Sequence, residues 1–201
     1  MPNWCHNTLT VSGKPEDVIR FRNKARGRTH AYNDFDYSPT GEKWGGFDKI
    51  RLLSILETPP ELGEAQELSF HRLYPVPNEV MSLPYDHSSA TRLLEHLGLE
   101  TDDVVTGYNW EAAHWGHKWG CSDVCTHHDP NDEYLQYTFE TPWSPSIEWL
   151  NKVAKDYPEL DFDLQFEEPG MAFQGVSSWS NGECIRDEVW ELEEEEYSEE
   201  E

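Results

Sequence analysis

The chain has 201 residues, which is the length of one ordinary domain with some additional segments. It carries 40 acidic and 15 basic side chains, a formal net charge of −25, which argues against duplex DNA or an anionic membrane as a partner. No run of 18 apolar residues occurs, so we expect no membrane span. We see no signal-peptide pattern at the start, and therefore expect a cytoplasmic protein with four reduced cysteines.

The negative charge is concentrated at the end of the chain. Residues 187–201 contain ten acids and no base. Like charges at this density repel one another, so we expect residues 193–201 to be a disordered acidic tail and residues 1–192 to form a single domain. The tail is either a solubilising extension or a decoy for a basic, nucleic-acid-binding partner.

The first third of the chain predicts a strand, a helix and an insertion. Residues 3–11 alternate in polarity, which is typical of a strand with one buried face. Pro15 then begins a helix that Gly27 ends. Residues 28–67 show little pattern apart from a helix predicted at 47–56, and we interpret this stretch as an insertion.

The middle of the chain predicts short elements around an aromatic segment. We expect a strand at 68–73 and a helix at 89–97. The aromatic segment covers residues 108–119. Strands are predicted after it at 121–127 and 133–140, where polarity alternates again.

The last third shows the clearest pattern. Ser144-Pro145 predicts the start of a helix, and residues 161–167 alternate strictly as a strand. Strands at 171–179 and 183–192 flank Asn181-Gly182, a strong signal for a type I′ hairpin. The resulting order, β-α-insertion-β-α-β-β-α-β-β-β, predicts an α+β fold in which helices pack on one face of an antiparallel sheet.

Short motifs extend over nearly the whole chain. They are Met1-Pro2-Asn3-Trp4-Cys5 with Asn7, residues 70–77, residues 114–119, Phe139-x-Thr141-Pro142-Trp143, and Glu168-x-Gly170. Together they resemble the Api92-like family, also called the YubB type, of bacteriophages and plasmids. The resemblance implies a ferredoxin-like α+β domain and a mobile-element origin. It implies no activity.

Two positions depart from the family pattern. His114 stands where the family usually has Asn before Trp115, and Gly120 replaces an acidic residue. The histidines of this segment, which include His117, therefore cannot support chemistry common to the family.

The aromatic segment is the first candidate site. Trp110, Trp115 and Trp119 lie within ten residues, with His114, His117 and Lys118 between them, and we expect Trp143 and Trp179 to join from the sheet. These side chains form either part of the core or a stacking pocket for a nucleotide-like ligand. We expect Trp115 and Lys118 to line the pocket and Trp119 to be mainly structural.

A basic cluster is the second candidate. Arg20, Arg22, Lys24, Arg26 and Arg28 follow one another without an intervening acid at the end of the first helix. Cations are favourable at a helix C-terminus for structural reasons alone. The alternative is a patch that contacts phosphate groups.

A group of six potential metal ligands is the third candidate. If residues 121–127 form a strand, the two cysteines lie about 13 Å apart, too far to share one zinc ion. We therefore expect no metal and no other cofactor. The six residues are His114, His117, Cys121, Cys125, His127 and His128.

No catalytic motif stands out in the sequence, so we expect a binding protein and not an enzyme. The leading hypothesis is an accessory protein of a phage or plasmid, acting in counter-defence, that sequesters a nucleotide-like ligand or a host protein through the Trp/His/Lys pocket. One alternative is an acidic inhibitor that imitates nucleic acid and thereby binds a basic host protein. A small zinc-dependent enzyme is the other alternative.

Overall fold

A computed structural model describes residues 2–33, 48–128 and 133–192. The predicted acidic tail at 193–201 and part of the predicted insertion lie outside the described residues. The described elements are β1 (Trp4–Ser12), α1 (Pro15–Ala25), β2 (Gly27–Arg28), α2 (Lys49–Leu56), β3 (Ala65–Gln66), α3 (Phe70–Leu73), α4 (Asn78–Met81), α5 (His87–Leu97), α6 (Gly107–His114), β4 (Ser122–His128), β5 (Tyr134–Pro142), α7 (Ile147–Asp156), β6 (Asp161–Glu168), β7 (Phe173–Ser180) and β8 (Glu183–Glu191).

The main sheet has six strands in the order β4-β5-β1-β6-β7-β8, and every neighbouring pair is antiparallel. The first strand of the chain therefore lies in the middle of the sheet, between β5 and β6. The order of β4, β5, β1 and β6, with α1 and α7 as crossover helices, is that of a ferredoxin-like β-α-β-β-α-β unit. Strands β7 and β8 extend this unit on one side.

The core lies on one face of the sheet. Cys5, Leu9 and Val11 of β1 are fully buried, and so are Phe21 of α1 and Val153 of α7. The alternate side chains of β1 face the other way, and those after Trp4 are polar. The predicted antiparallel sheet with helices on one face is confirmed. Among residues 2–33, 48–128 and 133–192, nothing fully covers the alternate side chains of β1 on the other face, which are exposed or half-buried.

The last hairpin has the predicted turn. Asn181 and Gly182 have φ angles of 51° and 79°, the two positive values that a type I′ turn requires. Asn tolerates this region and Gly enters it without a steric penalty, so the sequence matches the backbone at both positions.

Two local predictions were wrong. Residues 68–73 contain no strand of the sheet: Phe70 and Leu73 are buried at the i, i+3 spacing of one helical face, and the segment forms the short helix α3. Helix α7 begins at Ile147 and not after Ser144, whose hydroxyl instead donates to the carbonyl oxygen of Gly116 at 3.0 Å.

The segment between α1 and β4 lies outside the main sheet in its described parts. It contains the two-stranded sheet of β2 and β3 and helices α2 to α6, so it extends beyond the predicted insertion at 28–67. Leu52 of α2 packs with Leu93 and Leu97 of α5 in a small second core. Among the helices described in this structure, none is long and apolar enough to span a membrane.

Candidate ligand-binding site

A buried carboxylate organises the segment between α1 and β4. Glu111 of α6 is fully buried and accepts hydrogen bonds from Tyr32 Oη at 2.6 Å, Tyr85 Oη at 2.9 Å and the backbone N–H of Trp119 at 2.6 Å. His30 Nε2 lies 2.7 Å from the same carboxylate. We call Glu111, His30, Tyr32, Tyr85 and the Trp119 N–H the Glu111 cluster. It joins four stretches of the chain that are distant in sequence.

The cluster fixes the protonation states of Glu111, Tyr32 and Tyr85. Burial alone would raise the pKa of Glu111, but the hydrogen bonds from His30, Tyr32 and the Trp119 N–H, together with the charge of His30, hold this pKa below its usual value. Burial and the neighbouring carboxylate raise the pKa values of Tyr32 and Tyr85. Glu111 is therefore ionised at neutral pH, and both tyrosines are protonated donors.

A cavity of about 310 Å³ opens beside this cluster. Its size suits one heteroaromatic ring system, and its walls combine aromatic surface with a few polar groups, as is typical of small-molecule sites. The lining residues are Thr29, His30, Tyr32, Gln66, Ser69, Phe70, Tyr85, Trp119, Gly120 and Cys121. We call this cavity the Trp119 pocket.

Cys121 of the pocket wall and the nearby His71 are held in uncharged forms. Burial raises the pKa of Cys121 to about 12, and its thiol donates to the carbonyl oxygen of Leu68 at 3.4 Å. Burial and the positive charge of His30 and Arg72 lower the pKa of nearby His71 to about 4. At neutral pH the pocket thus presents a thiol and protonated phenols, and not a thiolate nucleophile.

A lysine and three aromatic rings adjoin the pocket. Lys118 Nζ lies 4.3 Å from the ring centroids of both Trp119 and Trp143, and 5.6 Å from that of Tyr108. The two indoles are 5.7 Å apart at an angle of 49°, and Trp119 is 47% exposed. We call these four residues the Lys118 cluster. Trp119 belongs both to this cluster and to the pocket wall.

Both indoles of the Lys118 cluster rest on unusual backbone. Trp119 has φ 70° and Trp143 has φ 65°, in the left-handed region that bulky side chains rarely adopt. The Trp119 N–H is held by Glu111, and the Trp143 N–H donates to the carbonyl oxygen of Asn3 at 2.9 Å. Residues in this region are strained by about 1–3 kcal/mol and are concentrated at functional sites.

The structure separates the predicted tryptophans into two groups. Trp110, Trp115 and Trp179 are buried in the core, so the expectation that Trp115 lines a pocket was wrong. The Trp115 indole N–H donates to the carbonyl oxygen of Tyr74 at 3.2 Å, and that of Trp179 donates to Asn151 at 2.8 Å. Trp119 and Trp143 are partly exposed, which reverses the roles expected for Trp115 and Trp119.

Neither predicted histidine lines the Trp119 pocket. His114 stacks on Trp110, with ring centroids 4.3 Å apart, and its Nδ1 is 2.7 Å from the Trp110 carbonyl oxygen. His117 is buried, with Nε2 3.3 Å from Ser146 Oγ, and burial lowers its pKa to about 4. The stack on Trp110 orients His114, and the contact with the buried Ser146 hydroxyl orients His117. Neither imidazole is therefore among the groups that line the cavity.

The predicted basic cluster is engaged in ion pairs. Arg20 pairs with Asp17 at 3.1 Å and also with Glu159, and Arg26 pairs with Glu67 at 3.1 Å. These carboxylates neutralise the charge that a phosphate would need. Arg22, Lys24 and Arg28 belong to the same stretch, and Arg28 Nε donates to the carbonyl oxygen of Gly63 at 2.8 Å. The ion pairs of Arg20 and Arg26 favour the structural role of this cluster over a phosphate-contacting patch.

The six potential zinc ligands do not meet. His117 and Cys121 bond to Ser146 and to Leu68, as described above, and Cys125 is exposed on β4 with His127 and His128. Throughout the described ranges, no three side chains of His, Cys, Asp or Glu are placed to hold a metal ion.

Sequence reasoning missed most of the pocket. His30, Tyr32, Gln66 and Tyr85 come from stretches with little pattern, and Glu111 is one acid among 40. A local signal for Glu111 did exist, because it is the one charged residue in the run Trp110-Glu111-Ala112-Ala113. An acid enclosed by apolar residues on a short helix is a candidate for a buried carboxylate.

Comparisons with known proteins agree with this fold. Residues 115–201 match the family model of the ferredoxin-like domain in Api92-like protein, whereas no curated protein matches the chain. The crystal structure of a protein api92 from Yersinia pseudotuberculosis is similar with a TM-score of 0.61 and 12% identity, covering 96% of this chain and 100% of that chain. At this identity the likeness shows the fold alone.

The match begins at Trp115, so it includes the Lys118 cluster apart from Tyr108, and it omits Glu111 and the other side chains of the Glu111 cluster. The resemblance and the fold predicted from the motifs are both confirmed. Residues 115–201 are therefore similar to the ferredoxin-like domains of Api92-like proteins in both sequence pattern and fold.

Proposed function

We propose that the protein is a non-enzymatic binding protein that sequesters a nucleotide-like ligand, with the base in the Trp119 pocket and the phosphate at Lys118. One observation carries the proposal: Trp119 lines the pocket, and the ring of the same residue lies 4.3 Å from the ammonium of Lys118. A single ligand with a flat ring and an adjoining anion would satisfy both features.

The pocket offers the interactions that a base requires. Stacking of a base on an aromatic side chain contributes about 1–3 kcal/mol. Gln66 supplies an amide that can both donate and accept at a base edge, and its present partner is weak, since its Nε2 lies 3.6 Å from Cys121 Sγ. The hydroxyl groups of Thr29 and Ser69 lie in the same lining.

Lys118 offers a charge for the phosphate. In the described part of the chain it forms no ion pair, although the protein has a net charge of −25. A cation–π contact at an exposed site contributes about 0.5–1 kcal/mol, whereas a hydrogen bond to a charged group contributes about 1.5–3 kcal/mol. We therefore expect Lys118 to leave the indoles for a phosphate that binds beside them.

The protonation states favour binding over catalysis. The pocket wall holds a protonated thiol and protonated phenols, and the ionised carboxylate of Glu111 is already saturated by four donors. A saturated carboxylate positions Trp119 before a ligand arrives, which lowers the ordering cost of binding.

The biological setting is part of the proposal. The resemblance to proteins of phages and plasmids supports an accessory role in the cytoplasm of a host cell. There a protein that removes a nucleotide signal would oppose a host defence that depends on that signal.

Isothermal titration calorimetry tests this function. The ligands are the four nucleoside monophosphates, the corresponding nucleosides and inorganic phosphate. We expect Trp119→Ala to weaken nucleotide binding at least about tenfold, and Lys118→Gln to weaken binding of the nucleotide but not of the nucleoside. Trp190→Ala is the matched control, because Trp190 is similarly exposed, at 44%, but lies on β8.

Two results would contradict the proposal. One is the absence of binding by every nucleotide in the panel at millimolar concentration. The other is nucleotide binding that Trp119→Ala and Trp190→Ala change equally, since such binding would not use the pocket.

A further inference from the structure

Strand β8 is an open edge of the main sheet. It pairs with β7 on one side, and in the described residues no strand pairs with its other side. All nine of its residues are exposed, whereas β7 beside it is largely covered. An edge strand of this length presents a row of unpaired N–H and C=O groups to any extended chain.

The edge also carries uncovered apolar side chains. Ile185 is 68% exposed and Val189 60%, and Trp190 projects from the opposite face of the strand. Sheet edges are usually protected by lysine, proline or bulges. On β8 the one irregularity lies at its start, where the register shifts beside Ile185, and the stretch from Arg186 to Glu191 pairs regularly.

The charges of β8 indicate what would pair with it. The strand carries Glu183, Asp187, Glu188 and Glu191, and its one cation, Arg186, bonds to Glu188 at 2.6 Å. A second copy is a poorer partner than a basic segment: antiparallel pairing centred on Asp187 places that residue opposite itself and Glu183 opposite Glu191. The same register places Arg186 opposite Glu188, but Arg186 already bonds to Glu188 of its own strand. Like charges directly opposite each other destabilise a strand pair, whereas opposite charges stabilise it.

A cavity beside β8 adds a place for a long side chain. It measures about 440 Å³ and lies on the uncovered face of the sheet, where Trp190 and Arg186 of β8 meet Gln174, Gln165, Glu167 and His6. A lysine or arginine of an added strand that leans over β8 would find the aromatic ring of Trp190 there.

We propose that β8 binds an extended, basic segment of a partner protein as a seventh strand of the sheet. Main-chain hydrogen bonds to the open edge supply affinity, and the acids of β8 select lysine or arginine at alternate positions of the segment. The proposal is independent of the nucleotide site, because no residue of β8 lines the Trp119 pocket.

The probe is a capped eight-residue peptide of alternating lysine and valine, titrated into the full chain. We expect it to bind and to slow hydrogen exchange of backbone amides in β8. Val189→Lys should raise the Kd at least about tenfold, because it adds a like charge to the edge, whereas Val189→Thr should change it less than about twofold. Both substitutions are at an exposed position, so we expect the fold to persist.

Two further peptides and one variant separate the sources of binding. A peptide of the same sequence with N-methyl groups at alternate residues keeps the charge but cannot pair, and it should not bind. The peptide with glutamate in place of lysine should not bind either, and Trp119→Ala should bind the basic peptide as the wild type does. The proposal would be overturned if the wild type bound the N-methylated peptide as tightly as the unmethylated one. It would also be overturned if Val189→Lys bound the basic peptide as tightly as the wild type does. So would a wild-type dimer that Val189→Lys converts to a monomer, because the edge would then serve a second copy.

Discussion

Trp119 connects the two parts of the candidate site through a backbone conformation that tryptophan seldom adopts. Its φ of 70° is stabilised by the hydrogen bond from its N–H to Glu111, and this conformation places the indole at the pocket beside Lys118. Trp115, four residues earlier, has no exposed surface and packs edge-on against Phe70. The two residues therefore have opposite roles despite their proximity in sequence.

This contrast predicts an order of stabilities. Trp115→Ala should lower the free energy of unfolding by about 3–5 kcal/mol, since it empties a core site. Trp119→Ala should lower it by about 1 kcal/mol or less, and Trp119→Gly should be more stable than Trp119→Ala by roughly 1 kcal/mol because glycine accepts a positive φ. Urea denaturation of the three variants measures these differences. A larger loss for Trp119→Ala than for Trp115→Ala would contradict the assignment.

Glu111 predicts a dependence of stability on pH. Its pKa is lower in the folded than in the unfolded chain, so its contribution is fully present above the unfolded value of about 4.3 and is lost as the pH falls. Glu111→Gln should destabilise the protein at pH 7 by roughly 3 kcal/mol, because the amide cannot accept from four donors. The difference from the wild type should shrink as the pH falls below about 4.

Denaturant titrations between pH 3 and pH 7 check this prediction, with Glu148→Gln as the control. Glu148 is an exposed carboxylate of α7, so its replacement should leave stability nearly unchanged. A constant difference between wild type and Glu111→Gln across this range would show that Glu111 is not a stabilising carboxylate.

The elements differ in how well the sequence predicts them. Strand β6 was predicted from strict alternation, and the Asn181-Gly182 turn from its two residues, because both signals are local. The prediction of a strand at 68–73 was wrong because the few apolar residues there fit both the two-residue period of a strand and the 3.6-residue period of a helix. Tertiary packing of Phe70 and Leu73 selected the helix.

The candidate site was less predictable than the fold because its parts come from different elements. Glu111 belongs to α6, whereas its donors come from the segment after β2, the segment before α5 and the turn before β4. The hydrophobic periodicity of a single segment does not indicate that these donors contact Glu111. The sequence did identify Lys118, Trp119 and Trp143 as candidates, since adjacent or motif-linked aromatic residues around a cation are visible locally.

At the scale of the whole molecule, the net charge of −25 opposes the compact state. Screening by salt should therefore raise the melting temperature as NaCl is added from low ionic strength, with most of the change below about 0.2 M. Deletion of residues 193–201 removes seven acids. The shortened chain should melt at the same or a slightly higher temperature at low salt, and its melting should depend less on salt.

Scanning calorimetry of the full and shortened chains at several salt concentrations measures both effects. A clear fall in melting temperature on deletion would show that the acidic residues contribute contacts to the fold, contrary to the prediction from their composition.

The position of β1 determines when this protein can fold during its synthesis. It is made before the other described strands of this sheet, yet both of its neighbours come more than 100 residues later: Ser12 pairs with Tyr134 of β5 and with Asp161 of β6. One edge stays unpaired until β5 has left the ribosome and the other until β6 has left it, so neither pair can form while β1 itself emerges. Such distant pairing is slow, and the early chain carries an exposed strand throughout. A ribosome-bound chain that ends before β6 should therefore remain more sensitive to protease in β1 than the full chain does.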